Sequence, residues 1–348
     1  MSGLQRGSDN RMEPRDVVVI GGSAGSLGPL RDLTAALPPD LPGSVLVTMH
    51  VGEHARSRLP WLLSRSGPLP ATHAEAGERL RPGRVYVARP GCHLLVPGGI
   101  VELSNGPKVN RTRPAVDVMF GSAARWFGDR VVAVVLSGWL DDGAVGAALV
   151  AQAGGLVVVQ DRKDAAQSSM PLAALAAAPG AIEAPAAQLG ALVAGMLGEG
   201  GLAAWPRTKQ PEVSEVSMED SSDLQFLSPG ETRLTRLACP DCGGALAEIV
   251  LPQITYYRCH VGHQFGPQSL AAAQAEAAEA KLWSAVATLE ETAVLARHLA
   301  SHADLDDDAA GQQGRTADWA AGLAESLRTE VGDRRPHGYG EAAGGGQA

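Results

Sequence analysis

Charged side chains, aromatic side chains and long apolar segments are all scarce in this sequence. Charged residues make up 19% of the 348 residues and aromatic residues 4%, and the net charge of −9 leaves no basic excess for binding nucleic acid or an anionic membrane. No apolar run approaches the roughly 18 residues that span a bilayer. Residues 1–14 lack the apolar centre of a signal peptide and resemble a flexible tail. We therefore expect a cytoplasmic protein that neither binds nucleic acid nor inserts into a membrane.

Cysteine is also rare, with four residues in the whole sequence. Three of them, Cys239, Cys242 and Cys259, are grouped near histidines, which favours a metal site over a disulfide framework. Hydrophobic residues nevertheless reach 45%, which is enough for a substantial core. The length is typical of one large domain with additions, or of two domains.

Short buried strands alternate with helical segments between residues 15 and 200. The apolar runs at 16–20, 44–49, 130–136 and 155–160 have the length and β-branched content of buried strands. Continuous apolar strands that alternate with helices form parallel sheets covered on both faces. The sequence therefore predicts a doubly wound, mostly parallel, Rossmann-like α/β fold with three layers.

The composition changes after residue 200. Residues 201–232 are acidic and poor in apolar side chains, which is typical of a linker. Residues 233–266 contain the cysteine and histidine group and indicate a small zinc-ribbon-like unit, and residues 267–302 have the Ala-, Glu- and Leu-rich composition of one long helix. Residues 303–348, with their aspartate and glycine runs, predict a disordered tail.

A serine lies in the glycine-rich turn after the first predicted strand. Gly21-Gly22-Ser23-Ala24-Gly25 matches G-x-S-x-G, the nucleophile-elbow pattern. Glycines permit the sharp turn that lifts a serine above a sheet edge, and the following helix directs its N-terminal dipole at a developing oxyanion. A turn of this kind more often binds a phosphate, so a nucleotide-binding domain is an alternative. Ser23, however, replaces the second glycine of the dinucleotide pattern G-x-G-x-x-G.

His50 and Asp142 follow two other predicted strands, at 44–49 and 130–136. The carboxyl ends of parallel strands meet at one edge of a sheet, where functional crevices form. Together with Ser23 these residues make a candidate catalytic triad. In it, the serine is the nucleophile, the histidine is the general base and the aspartate orients the imidazole.

Several further segments, in the same order, resemble the chemotaxis protein-glutamate methylesterase (CheB) family. They are Val19–Ser26, Thr48–His50, Gly77–Ala88, Arg89–His93, Arg113–Phe120, Leu136–Gly143 and Met170–Pro171. The resemblance implies a CheB-like catalytic domain over residues 15–200, with no cofactor for catalysis. It also implies hydrolysis of γ-glutamyl methyl esters, with glutamine deamidation as a second activity, on methylated chemoreceptor-like proteins in bacterial signal transduction.

The sequence departs from the family pattern at several positions. Ala24 replaces the usual threonine, Ser26 stands where a glycine is usual, and Trp139-Leu140-Asp141 replaces a smaller Met-Gly-Asn-like run. No receiver domain precedes the resemblance, so we expect regulation other than a phosphoryl switch. These departures leave a second function open, a catalytically weakened scaffold that binds signalling partners through the zinc and helix region. His93 and Asp117 either line the cleft or have structural roles.

The cysteine and histidine group has the spacing of a zinc site. Tetrahedral zinc takes four nitrogen or sulfur ligands, often as two close pairs, and Cys239, Cys242, Cys259 and His263 supply them, with His260 as the competing fourth ligand. A redox CxxC is the alternative, but it normally opens a helix in a βαβ unit. Four protein ligands leave no open position, so the predicted zinc is structural. Similar zinc-plus-helix tails occur on some stand-alone relatives of the CheB family.

Overall fold

The computed structural model describes residues 14–198, 231–302 and 307–332. By their contacts, these residues fall into two units, the first ending at Ser269 and the second beginning at Leu270. The predicted linker at 201–232 lies outside the described residues except for its last two positions. The predicted tails at 1–14 and 303–348 lie outside the described residues as well, apart from residue 14 and residues 307–332.

A seven-stranded parallel sheet forms the centre of the first unit. Its strands, together with the separate antiparallel pair β5–β6, are β1 (Val17–Gly22), β2 (Ser44–Met49), β3 (Ala71–His73), β4 (Arg84–Val87), β5 (His93–Leu95), β6 (Glu102–Ser104), β7 (Val131–Val135), β8 (Leu156–Gln160) and β9 (Ile182–Ala184). The order across the sheet is β3-β4-β2-β1-β7-β8-β9, and all neighbouring pairs are parallel.

Helices cover both faces of this sheet. They are α1 (Leu27–Ala35), α2 (Leu59–Ser66), α3 (Val116–Phe127), α4 (Ala144–Gln152), α5 (Ser169–Ala177) and α6 (Ala186–Met196). Alternate residues of β1 point to opposite layers. Val17 and Val19 pack with α3, α4 and α5, while Val18 and Ile20 pack with α1, α2 and α6. The predicted three-layer α/β fold is confirmed.

The connections of the sheet reverse direction at β1. From β1 the chain proceeds to β2 and then outward to β4 on one side, and later returns to β7 on the other side. In doubly wound sheets, a crevice opens outside the carboxyl ends of the strands at this point. The loops that follow β1, β2 and β7 therefore border one crevice.

A four-stranded antiparallel sheet also belongs to the first unit. We call it the ribbon, and it consists of β10 (Glu231–Ala238), β11 (Ala245–Val250), β12 (Thr255–Cys259) and β13 (Gln264–Phe265). Ile249, Leu251 and Tyr256 are buried in the same apolar cluster as the α3–α5 layer. The ribbon is thus anchored in the core of the α/β domain.

Two long helices complete the described chain. The first, α7 (Pro267–His302), begins in the first unit, and the second, α8 (Asp307–Gly332), lies within the second unit. The prediction of a disordered tail at 303–348 is wrong for residues 307–332. Ala317, Ala320 and Ala324 recur at helical spacing and are buried, which gives this polar segment a packing face. Among the described residues, no helix combines the length and apolarity needed to cross a bilayer.

Candidate functional site

Ser23 occupies a tight turn between β1 and α1. The backbone N–H of Ser23 donates to the carbonyl oxygen of Ser137 at 2.9 Å, which ties the turn to the end of β7. Gly138 lies so close that a Cβ atom there would be 2.8 Å from the Ser23 Cβ atom. Gly25 adopts a φ of 79°, a conformation that favours glycine. The glycines of this turn therefore serve the sharp bend expected of a nucleophile elbow.

The imidazole of His50 lies between Ser23 and Asp142. Its Nδ1 atom is 3.1 Å from Ser23 Oγ, and its Nε2 atom is 2.6 Å from Asp142 Oδ2. The carboxylate can only accept, so Nε2 carries the proton and Nδ1 presents its lone pair to the serine hydroxyl. The ring is reversed relative to the serine-protease arrangement, in which Nε2 faces the serine.

Asp142 is buried and held on both carboxylate oxygens. The first two residues of α3 donate their backbone N–H groups, Val116 to Oδ2 at 2.7 Å and Asp117 to Oδ1 at 3.1 Å. The side chain of Asn110 donates to Oδ1 at 2.9 Å. Burial alone would raise the pKa of Asp142, but its bonds to His50, Val116 and Asn110 hold it below its ordinary value. The carboxylate is therefore kept ionised at the N-terminus of a helix.

Asp117 links α3 to the start of α4. Its Oδ1 atom accepts from the N–H groups of Gly143 at 2.9 Å and Gly146 at 2.7 Å, and its Oδ2 atom accepts from Asn110 at 2.7 Å. Burial and the nearby charge of Asp142 raise its pKa well above the ordinary range. Asp117 thus has a structural role behind the candidate triad.

Asn110 contacts the carboxylates of Asp142 and Asp117, but it belongs to none of the motifs that predict the site. Asp142 is distant from it in the chain, and a lone asparagine with a φ of 51° resembles a turn residue. Its position three residues before the segment Arg113–Phe120 was the signal that could have found it.

These contacts can be compared with known proteins. Residues 18–193, which are half of the chain, match the family model described as CheB methylesterase. The chain belongs to the CheB methylesterase family. The resemblance predicted from the sequence is confirmed.

Individual CheB relatives support the same conclusion. A Geobacter metallireducens protein named "Protein-glutamate methylesterase/protein-glutamine glutaminase 1" is 38% identical over 164 residues, which are 46% of this chain and 45% of that protein. A similarly named Anaeromyxobacter dehalogenans protein, numbered 4, is 41% identical over 164 residues, 46% of each chain. The chain thus spans about half the length of these curated relatives.

A solved structure agrees with the fold. The crystal structure of the Thermotoga maritima CheB methylesterase catalytic domain is 30% identical, with a TM-score of 0.50, and the match covers 52% of this chain and 98% of that domain. The structural likeness corresponds to the α/β domain.

His93 lies beneath the CheB-like site rather than in its cleft. It is fully buried, its Nε2 atom is 3.0 Å from the carbonyl oxygen of Pro107, and its Nδ1 atom accepts from the N–H of Ala115 at 3.2 Å. Burial lowers the pKa of His93 to about 4. The neutral ring therefore joins two loops, which is a structural role.

Of the departures from the CheB pattern, Ser26 has a local explanation, and nothing in the structure explains Ala24. The Ser26 hydroxyl donates to the carbonyl oxygen of Ser23 at 2.5 Å, so it closes the turn at the N-terminus of α1. The carbonyl of Ala24 accepts from Ser137 Oγ at 2.7 Å. Trp139 is half-buried, and Leu140 adopts a φ of 63°, which is costly for a residue with a Cβ atom. The Asp142 loop is thus held in a conformation better suited to glycine.

Cys239, Cys242, Cys259 and His263 converge in the ribbon, with their ligand atoms within 4.8 Å of one another. Cys242 Sγ is 3.7 Å from Cys259 Sγ, and His263 Nδ1 is 3.6 Å from Cys259 Sγ and 3.8 Å from Cys239 Sγ. Tetrahedral zinc with ordinary bond lengths places sulfurs about 3.8 Å apart and sulfur and nitrogen about 3.6 Å apart. The four side chains therefore fit such an ion, and exposed His260 lies outside the group.

The thiols of this group have unequal proton affinities. Burial raises the pKa of Cys239 to about 12. Burial acts in the same direction on Cys259, but hydrogen bonds from Cys242 and from backbone N–H groups lower its pKa. Thiolates this close repel one another, and a bound cation removes that repulsion.

Proposed function

We propose that this chain is a serine esterase that hydrolyses methyl esters of glutamate side chains in chemoreceptor-like signalling proteins. The observation that carries the proposal is the continuous chain of hydrogen bonds from Ser23 Oγ through His50 to Asp142. Membership of the CheB methylesterase family supports the substrate class. Ser23, His50 and Asp142 are the proposed catalytic residues.

In the first half of the reaction, Ser23 Oγ attacks the ester carbonyl carbon while its proton moves to His50 Nδ1. Negative charge collects on the carbonyl oxygen of the tetrahedral intermediate. The N-terminal end of α1, which begins at Leu27, contributes positive potential near this oxygen. When the intermediate collapses, the proton passes from Nδ1 to the leaving oxygen, and methanol departs.

In the second half, water attacks the acyl-serine. His50 Nδ1 accepts a proton from the water and returns it to Ser23 Oγ as the ester bond breaks. Asp142 stays ionised and stabilises the imidazolium in both halves. The products are a glutamate side chain and the free serine. With an amide in place of the ester, the same steps release ammonia, which is the second activity that we propose.

We also propose that Cys239, Cys242, Cys259 and His263 hold a structural zinc ion. The tetrahedral spacing of their ligand atoms supports this assignment. The zinc would stabilise the ribbon, and all four of its positions would be filled by protein.

The test uses a fluorophosphonate probe and a methyl-esterified receptor fragment. We expect stoichiometric labelling of the wild-type protein, no labelling of Ser23→Ala, and methanol release that requires Ser23. Ser284→Ala, at an exposed serine on α7, is the matched control and should behave as wild type. If neither labelling nor methanol release depends on Ser23, the esterase proposal is wrong and the scaffold alternative gains support.

A further inference from the structure

The segment Gln264–Ser269, which connects the ribbon to α7, lies directly behind the loop that carries Asp142. The carbonyl oxygen of Gln264 accepts from the backbone N–H of Asn110 at 2.7 Å. The N–H of Gly266 donates to the side-chain oxygen of Asn110, also at 2.7 Å. A Cβ atom on Gly266 would lie 2.4 Å from Asp141 Oδ2, so only glycine fits here without displacement.

Asn110 connects the segment Gln264–Ser269 to the proposed triad. Because its amide oxygen accepts from Gly266, its amide nitrogen is directed at Asp142 Oδ1 and Asp117 Oδ2, at 2.9 Å and 2.7 Å. Both protons of the amide nitrogen are thus used. If the oxygen and nitrogen of the Asn110 amide were exchanged, the oxygen would face the carboxylates of Asp142 and Asp117, and the NH₂ group would face the N–H of Gly266. The backbone of the connecting segment therefore sets the orientation of this amide.

A second contact runs through Asp141, the neighbour of Asp142. The Asp141 carboxylate accepts from the backbone N–H groups of Gln268 at 2.7 Å and Ser269 at 3.1 Å, and from the Ser269 hydroxyl. It thereby caps the N-terminus of α7. The Asp142 loop is held on one side by Asn110 and on the other by this cap.

The candidate metal site adjoins the same segment. His263 immediately precedes Gln264, and its carbonyl oxygen accepts from the N–H of Cys259 at 3.0 Å. A metal held by Cys259 and His263 would therefore fix both sides of the β12–β13 turn. From there the backbone continues within three residues to Gly266.

We infer that metal binding in the ribbon positions Asp142 through Gly266 and Asn110, which makes Asn110 a positioning residue for the reaction. The inference rests on the proposed function. The metal touches neither substrate nor triad, and it acts by holding the peptide that orients the Asn110 amide. The ribbon is then a working part of the esterase domain.

The experiment compares two full-length proteins, wild type and Asn110→Ala, each in two states, loaded with zinc and stripped by a chelator. We measure the fluorophosphonate labelling rate, and kcat and KM on a methyl-esterified glutamyl peptide. The low-field proton NMR signal of the His50 Nε2–H group is recorded as well. Stripping the wild type should lower kcat by about ten- to a hundredfold, with KM little changed, and shift or broaden that signal. Asn110→Ala with zinc should show a similar loss.

The decisive quantity is whether the losses of kcat caused by zinc removal and by Asn110→Ala add when the two are combined. If zinc acts through Asn110, removing it from Asn110→Ala causes little further loss, and zinc restores the stripped wild type only. Asn105→Ala, an exposed asparagine on the same loop, and Cys92→Ser, a cysteine outside the group, should match wild type in every state.

Three results would overturn the inference. One is unchanged labelling and an unchanged NMR signal in stripped wild type that circular dichroism shows to be folded. Another is equal loss on stripping in both backgrounds. If stripping unfolds the protein, the zinc-loaded Asn110→Ala variant decides, and a kcat within twofold of wild type would refute the role of Asn110. Absence of Ser23-dependent labelling in zinc-loaded wild type would instead refute the proposed function itself.

Discussion

The candidate triad and the cysteine group of the ribbon differ in what holds them together. Asp142 is satisfied by two backbone N–H groups, an amide and an imidazole, so the fold itself compensates its buried charge. In the ribbon, three thiols and an imidazole converge on one point. A cation bound between them would remove the repulsion that ionised thiols at this distance exert on one another. The first site is organised by protein contacts, and the second has the ligand spacing of the zinc site that we propose.

Loss of a metal ligand should have the largest effect, because zinc binding contributes about 10 kcal/mol to the folding of small zinc units. We expect Cys259→Ser and His263→Ala to reduce zinc from about one per chain to none and to loosen the turns of the ribbon that carry the ligands. Zinc content and hydrogen exchange of β11 and β12 measure this. His260→Ala is the matched control and should keep its zinc, and loss of zinc in that variant alone would show that His260 is the ligand.

Asp142→Asn tests the site that protein hydrogen bonds hold together, that of Ser23, His50 and Asp142. An asparagine amide can donate to Nε2, which moves the imidazole proton to Nδ1 and removes the lone pair facing Ser23. We expect kcat to fall by about 10⁴-fold with the fold retained, as measured by methanol release and circular dichroism. Asp40→Asn, at an exposed position, should leave kcat unchanged. A loss of less than tenfold in Asp142→Asn would contradict the assigned role.

The lowered pKa of His93 predicts that the unfolding free energy of the α/β domain depends on pH. Its folded pKa of about 4 lies below the ordinary 6.5, so the unfolded chain binds more protons between these values. The contribution is fully present above pH 6.5 and is lost as pH falls to 4, about 3 kcal/mol in all. Denaturant unfolding of His93→Gln should show that much less pH dependence, whereas exposed His54→Gln should retain the wild-type slope.

The smallest expected effect concerns the backbone of the Asp142 loop. Leu140→Gly relieves a left-handed conformation and should stabilise the domain by about 1 kcal/mol. Gly143→Ala should have the opposite sign. Its φ is 97°, and a Cβ atom would lie 3.0 Å from Val116 Cγ1, so we expect a loss of about 2 kcal/mol. Urea unfolding compares the two, and equal signs would contradict the strain argument.

Much of the α/β domain could be predicted from the sequence because its central strands are long apolar runs. β3 and β9, with three residues each, are too short to show a periodic pattern. Almost every residue of β10 is exposed, so it lacks the alternating apolar residues that indicate a strand. The helix α8 was missed because its packing face consists of alanines, which differ little from the alanines of an unstructured segment.

The edge on which Ser23, His50 and Asp142 lie follows from a rule about parallel strands. The contacts behind that edge do not, since Gly266 and Asn110 are separated by more than a hundred residues and only the folded ribbon brings them together. Asp141 shows the same limit. Beside Asp142 it reads as part of a turn, but its partners lie at the start of α7.

The α/β domain begins and ends at one place. The N–H of Gly198 donates to the carbonyl oxygen of Arg15 at 2.9 Å, and the two residues form an antiparallel bridge. Peptides attached before and after this domain leave it side by side. The strand order of the sheet therefore does not depend on where the chain enters this domain, whereas excision of residues 15–198 alone would remove the ribbon side chains that pack in its core.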